Sequence, residues 1–487
     1  MDYLTAAELA EKIRSEELSS HDATEHFLTR IGAYNSSLNA YVYQDTQGAL
    51  SLAKKRDDAT ADGELGSLHG VPVSIKECFL WKGTPTTLNY PPKKLYKAKQ
   101  TSRLVKRLLQ AGAVILGKTN VPTLLSDSQT FGPLYPTANN PFDLNKTPGG
   151  STGGGAAAVA AGLTTFELGS DIGGSIRNPA HYCGLFGYKP TENGYASDGH
   201  APPFPEDLIG VSVMNHTGPL ARSMADVRLA TQVLFAPDWD RLHYLSTQGR
   251  NTASFKQGNT PLKGQKIAYF DTLHGLQAGS DVRASMHRMV NSLESLGAEV
   301  KPIQIDKQLS ARMLKTWATL FGFMMGQNLP WPVRKVFYWK FRPALKASSL
   351  PAQAELKQGL SLEFKHFTRA LAERETLISE VNRLFAPYDF VLSPTSMGPA
   401  FEHNHKHAAI ALDGEKLPYL DYCFPFVAFY NLTGHPVLTI PSGLNGNGLP
   451  IGLSLSAPHF RDDALLNLGD AIESAGYTFT PPDLSAL

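Results

Sequence analysis

Residues 147–162, TPGGSTGGGAAAVAAG, and, after LTTF, residues 167–191, ELGSDIGGSIRNPAHYCGLFGYKPT, form the stretch on which the reading of this chain turns. Several motifs compete for it. A P-loop requires Gly-Lys followed by Ser or Thr at the end of its glycines, and no lysine follows Gly155. A dinucleotide fingerprint can be laid on Gly153, Gly155 and Ala158, but it has to follow an apolar strand directly. Here NNPFDLNKTP precedes it, with two prolines and mostly polar residues. Gly149-Gly150-Ser151-Thr152-Gly153 satisfies G-x-S-x-G, yet a nucleophile elbow again demands a strand immediately before its serine. Ser51 and Lys54 fit S-x-x-K, a pattern that charged helix faces produce by chance.

Outside this stretch the pattern is α/β. VPVSIKECF around Lys76, AVILGKTN from Ala113, KIAYFD from Lys266, YDFVLSPT from Tyr388, HPVLTIP from His435 and PIGLSLSA from Pro450 read as short strands. Helical spacing appears in LVKRLLQAG from Leu104, MHRMVNSLESLG from Met286 and DALLNLGDAIESAG from Asp463. Residues 4–34 read as two amphipathic helices, broken near Ser19-Ser20 where a cap for the second is expected. The alternation predicts a single domain over 1–487. Its centre is a mixed, largely parallel β-sheet, buried between helices on both faces.

Composition narrows the function. The chain has 487 residues, 42% of them hydrophobic, and 45 Lys+Arg against 44 Asp+Glu give a formal net charge of +1. A dedicated nucleic-acid binder needs an excess of Lys and Arg to displace counterions, so no nucleic-acid partner is expected. Cys78, Cys183 and Cys423 lie far apart with no C-x-x-C pair, which suggests neither a disulfide framework nor a structural zinc site. No metal and no cofactor is expected. The opening residues mix charges every few positions, unlike a secretory signal, and no run is long and apolar enough to span a bilayer. A cytoplasmic protein is expected, with a homodimer as the default assembly. Residues 93–107 carry seven basic residues and no acid, to be read as a solvated face or as steering for an anionic partner. Residues 320–341, LFGFMMGQNLPWPVRKVFYWKF, read as core or as the wall of an apolar pocket.

The polar residues left in glycine-rich surroundings are Lys76, Ser151 and Ser175. Serine needs a base to act as a nucleophile, and lysine serves only when neutral, which burial promotes. Lys76 stands in a mostly apolar strand, as such a base should. Glycines beside a serine let backbone N–H groups approach a substrate, and those from Ile172 to Ser175 could form an oxyanion hole.

Taken together, GGSTGGGAAAVAAG, GSDIGGSIRNPA and GYKPT resemble the amidase signature family. Its pattern is a GGSSGG loop, a small-residue helix and a GTDxGGSIRxPA segment. The likeness extends to the Lys76 strand, to AGAVILGKTNVP, NNPFDLNKTPGG and FYNLTGHPVLTIPSG, and so over most of 1–190 and 385–475. The intervals agree as well: 75 residues from Lys76 to Ser151 and 24 from Ser151 to Ser175. The resemblance divides the chain into N-terminal helices (1–65), a catalytic core (66–190), a variable substrate-side region (195–385) and a C-terminal part of the core (386–487).

The resemblance implies that Ser175 forms an acyl-enzyme with an amide carbonyl. Ser151 would relay the proton, neutral Lys76 would receive it, and the N–H groups of Ile172, Gly173, Gly174 and Ser175 would hold the oxyanion. It further implies a cis Gly150–Ser151 peptide, and Ser170, Asp171 and Arg177 as residues that fix the loop. Leu125, Ser126 and Asp127, which follow TNVP, would line the substrate pocket. Ser170 stands where the family has Thr, and Thr152 replaces the second serine of GGSSGG. The family divides between free-standing amidases and the catalytic subunit of a glutamine-dependent tRNA amidotransferase. That subunit carries an Asp seven residues before the Asn of its NLAGLP-like segment, and the matching position here is Phe424. An apolar ring cannot pair with an ammonium group, so the expected substrate is a small apolar or aryl amide, with esterase activity alongside. The alternatives are a glutaminase-like subunit supplying ammonia to tRNA and a catalytically idle scaffold or binding protein. Retention of Lys76, Ser151 and Ser175 together speaks against the last.

Overall fold

Among the described residues, fifteen strands follow in chain order: Tyr41–Gln44 (β1), Pro72–Lys76 (β2), Val114–Thr119 (β3), Phe166–Asp171 (β4), Phe186–Lys189 (β5), His216–Ala221 (β6), Lys266–Tyr269 (β7), Thr272–Leu273 (β8), Leu276–Gln277 (β9), Glu299–Pro302 (β10), Phe390–Pro394 (β11), Ile410–Leu412 (β12), Glu415–Leu417 (β13), Val437–Leu444 (β14) and Pro450–Ser456 (β15). The helices are Ala6–Arg14 (α1), Ser20–Leu38 (α2), Thr46–Asp58 (α3), Arg103–Gln110 (α4), Gly153–Ala160 (α5), Arg177–Tyr182 (α6), Met224–Leu234 (α7), Ser280–Ser295 (α8), Lys307–Gly326 (α9), Trp331–Ala347 (α10), Gln353–Leu360 (α11), Phe364–Phe385 (α12), Tyr419–Cys423 (α13), Pro425–Thr433 (α14) and Asp462–Ser474 (α15). They come from a computed structural model that describes residues 1–59, 65–192, 200, 213–235 and 262–485. Of the variable region expected at 195–385, residues 195–199, 201–212 and 236–261 lie outside the described residues.

Eleven strands form one sheet in the order β1-β3-β2-β4-β6-β5-β14-β15-β11-β7-β10. The sheet is mixed. Parallel pairing occupies two blocks, β3-β2-β4 and β11-β7-β10. Between them, β4, β6, β5, β14, β15 and β11 pair antiparallel. All six expected strands are present and lie in this sheet. Every residue of β2, β3, β4, β5, β6, β11 and β15 is buried, and since alternate side chains point to opposite faces, both faces are covered.

The N-terminal helices start where the sequence places them. Thr5 and Glu8 form a reciprocal capping box on α1, and Ser19 accepts the Asp22 N–H to cap α2. The four-residue β1, too short to show periodicity, then pairs with the edge of β3. Residues 93–107 lie along the surface, with Lys94, Lys97, Lys99 and Lys106 exposed. Cys78, Cys183 and Cys423 are buried and unpaired. Among the described residues no helix is long and apolar enough to cross a membrane.

The small-residue helix α5 lies against the first parallel block. A methyl group at Gly154 would stand 2.4 Å from the Asn120 nitrogen, and one at Gly155 2.4 Å from the Glu167 carboxyl carbon. The glycines are therefore what lets this helix approach β3 and β4. The carboxyl ends of β2 and β4, where parallel sheets gather ligands, present Lys76 and Asp171 to the same region.

Candidate active site

Lys76 closes β2 and is fully buried. Its Nζ lies 2.7 Å from Ser151 Oγ, 2.9 Å from Ser170 Oγ and 3.3 Å from the Ser170 carbonyl oxygen. Burial pushes the ammonium down to about 8, against the opposing pull of Cys78, Asp171 and Glu167. A substantial fraction of this lysine is therefore neutral at slightly alkaline pH. Glu167, one strand away, pulls the lysine toward its charged form but does not outweigh burial. Burial raises that carboxyl to about 7, while hydroxyls of Ser74 and Thr119 donate to it.

The loop that carries Ser151 is tightly placed. Gly149 adopts φ +87°, and a methyl there would meet Pro179 Cα at 2.8 Å. The Gly150–Ser151 peptide is cis. The Thr152 N–H donates to the Ser175 carbonyl at 3.2 Å, joining the two serine loops through the backbone. No hydrogen bond joins the Ser151 and Ser175 hydroxyls in this structure. Such contacts in free enzymes are often long and tighten only with substrate in place.

Ser175 precedes α6, and its loop is organised by Asp171 at the end of β4. The Asp171 carboxylate accepts from Arg177 Nε (3.0 Å) and Nη2 (2.9 Å), Asn431 Nδ2 (2.9 Å), and the N–H groups of Gly174 (2.9 Å) and Ile176 (3.1 Å). Burial alone would raise this carboxyl. The Arg177 guanidinium beside it and the donated hydrogen bonds win, and hold it well below the usual carboxylate range. Arg177 also donates to Asn431 Oδ1 and the Val427 carbonyl, which ties the loop to α14. Of the four N–H groups expected at the oxyanion, that of Gly174 is thus committed to Asp171. Ile172, Gly173 and Ser175 carry the others.

Ser175, 6% exposed, faces a cleft that it lines with Ile172, Gly173, Leu125, Ser126, Asp127 and Phe424. All four residues expected at the pocket are there. The cleft shares Ser126, Phe321 and Phe424 with an adjoining apolar cavity. Trp317 and Phe321 reach that cavity from α9, and Phe337 and Phe341 from α10, so the segment 320–341 contributes to a pocket wall. The sequence reading missed Trp317, which lies just before that segment. It also missed the partners of Asp127, whose carboxylate accepts from Tyr419 OH (2.5 Å) and sits 2.6 Å from His407 Nε2. His407 lies 280 residues along the chain, a separation no local pattern reveals.

Residues 22–466 match the Amidase family. Among curated proteins, a glutamyl-tRNA(Gln) amidotransferase subunit from Salinispora tropica is 31% identical, with 99% of each chain covered. A crystal structure of an amidase superposes with a TM-score of 0.78 at 25% identity, covering 97% of this chain and 99% of that one. The 6-aminohexanoate cyclic dimer hydrolase superposes with a TM-score of 0.81 at 23% identity, covering 99% of both, a likeness of fold. The chain belongs to the amidase signature family and is an enzyme of its kind, a hydrolase acting on the C–N bonds of amides.

Proposed function

We propose that this enzyme is a free-standing amidase that cleaves small apolar or aryl amides through an acyl-enzyme on Ser175. The observation that carries the reading is the junction of Ser175 with an aromatic cavity through Phe424, where recognition of a glutamine ammonium would need an acid. In this reading neutral Lys76 takes the Ser151 proton as Ser151 takes that of Ser175. Ser175 Oγ then attacks the amide carbonyl, and the oxyanion forms against the N–H groups of Ile172, Gly173 and Ser175. A donor so placed is typically worth about 3–4 kcal/mol in the transition state. Lys76 returns the proton through Ser151 to the departing nitrogen, which leaves as amine or ammonia. Water, deprotonated by the same route, attacks the ester and regenerates Ser175. Asp171, Arg177 and Asn431 hold the loop in register for these steps.

A second reading, a glutaminase-like subunit that supplies ammonia to tRNA, is favoured by the 31% identity to an amidotransferase subunit over nearly the whole chain. The two part on substrate. Release of arylamine from an apolar anilide, with no ammonia from glutamine, supports the first reading; ammonia from glutamine and inert anilides would replace it with the second.

A further inference from the structure

One polar atom in the wall of the aromatic cavity has no partner. Trp317, 6% exposed, stacks on Phe321 (5.0 Å between ring centres, 20° between planes) and tilts against Phe424 (5.5 Å, 40°). Its Nε1 is buried and makes no hydrogen bond. The edge of the indole that bears Nε1 faces the nucleophile loop: Cζ2, one ring atom removed from Nε1, would lie 3.3 Å from a methyl group on Gly173. A buried N–H left unpaired is costly and calls for an explanation. Among the described residues of this wall, Ser126 alone is otherwise polar, and its hydroxyl donates to the Thr123 carbonyl at 2.8 Å.

We propose that Trp317 determines specificity by donating its indole N–H to a hydrogen-bond acceptor on the substrate, set a few bonds from the scissile carbonyl. The substrate class is then an apolar amide with a keto, ether or ring-nitrogen acceptor near its reacting end. The inference rests on the amidase reading for the word amide. It goes beyond it by requiring the acceptor.

The test separates the two. Binding of phenylpropanamide and of its β-keto counterpart, which share one carbon skeleton, is measured by calorimetry on Ser175→Ala, so that no chemistry intervenes. The keto amide is expected to bind roughly tenfold more tightly. Adding Trp317→Phe should bring it to the affinity of the plain amide, which itself moves by less than about twofold. Should that variant fail to fold, β-benzothienylalanine placed at position 317 removes the N–H and keeps the bicyclic shape. Equal affinities with Trp317 intact, a preference that survives loss of the N–H, equal weakening of both ligands, or binding of neither would each overturn the assignment. Turnover by the unmodified enzyme is scored separately. A preference lost with the N–H but no amide cleavage would sink the amidase reading and leave Trp317 in place.

Discussion

Lys76 Nζ stands 2.7 Å from Ser151 Oγ with both side chains buried. The pair joins a lysine on a sheet strand to a serine on a glycine loop, and the dry surroundings that lower the lysine's proton affinity also sharpen its hydrogen bonds.

This arrangement fixes a pH dependence. The lysine serves as a base only without its proton, so kcat/KM for an amide should rise with pH as Lys76 deprotonates and level off above about 8. An unperturbed lysine would place the rise near ~10.4. A pH profile of kcat/KM decides between the two, and a midpoint near the higher value would contradict the buried-base account.

Asp171 and Arg177 form a buried pair on which the Ser175 loop hangs. Asp171→Asn leaves the guanidinium without its counter-charge, and removing one partner of a buried pair typically costs about 3–5 kcal/mol. Urea unfolding should show a loss of that order, and activity should fall with it because the amide keeps only one of the two acceptor oxygens that Gly174 and Ile176 share. A stability unchanged within about 1 kcal/mol, on the order of a surface substitution, would mean the pair is not organising the loop.

Phe424 belongs to both the cleft at Ser175 and the apolar cavity. Truncation to alanine should raise KM for an aryl amide by roughly tenfold or more while acetamide, which has little apolar surface to bury against the ring, is affected much less. Steady-state kinetics on the two substrates read this split. An equal loss on both would place the ring in support of the catalytic groups rather than of binding.

Gly155 sets two effects against each other. Alanine is the better helix former by about 1 kcal/mol, yet the added methyl would lie 2.4 Å from the Glu167 carboxyl, which Ser74 and Thr119 hold in place. Overpacking of this kind costs about 1–3 kcal/mol, so Gly155→Ala should lower Tm. A raised Tm would show that Glu167 moves aside freely.

Much of this was legible in the sequence, and for physical reasons. VPVSIKECF and HPVLTIP are strands because short apolar runs bounded by proline have few other ways to be buried. The glycines around Ser151 and Ser175 read as places for a substrate to approach the backbone; in the fold Gly149, Gly154 and Gly174 lie where other protein atoms come unusually close. Strand direction was less legible, since β4 and β6 pair antiparallel through residues that lie 45 apart or more along the chain. The commitment of the Gly174 N–H to Asp171 depends on a turn geometry that no residue pattern encodes. Trp317 reaches the pocket and His407 reaches Asp127 from distant segments, and their neighbours are chosen by tertiary packing alone.

In the proposed reading Ser175 is the activated nucleophile and Lys76 its distant base. Intact-mass spectrometry after exposure to a broad fluorophosphonate tests it most directly, on the unmodified enzyme, Ser175→Ala and Lys76→Met. The account predicts one adduct, mapped to Ser175, absent from Ser175→Ala and formed about 10²–10⁴-fold more slowly in Lys76→Met. An adduct on Ser151 with Ser175 untouched, or labelling of Ser175 at an unchanged rate without Lys76, would contradict it.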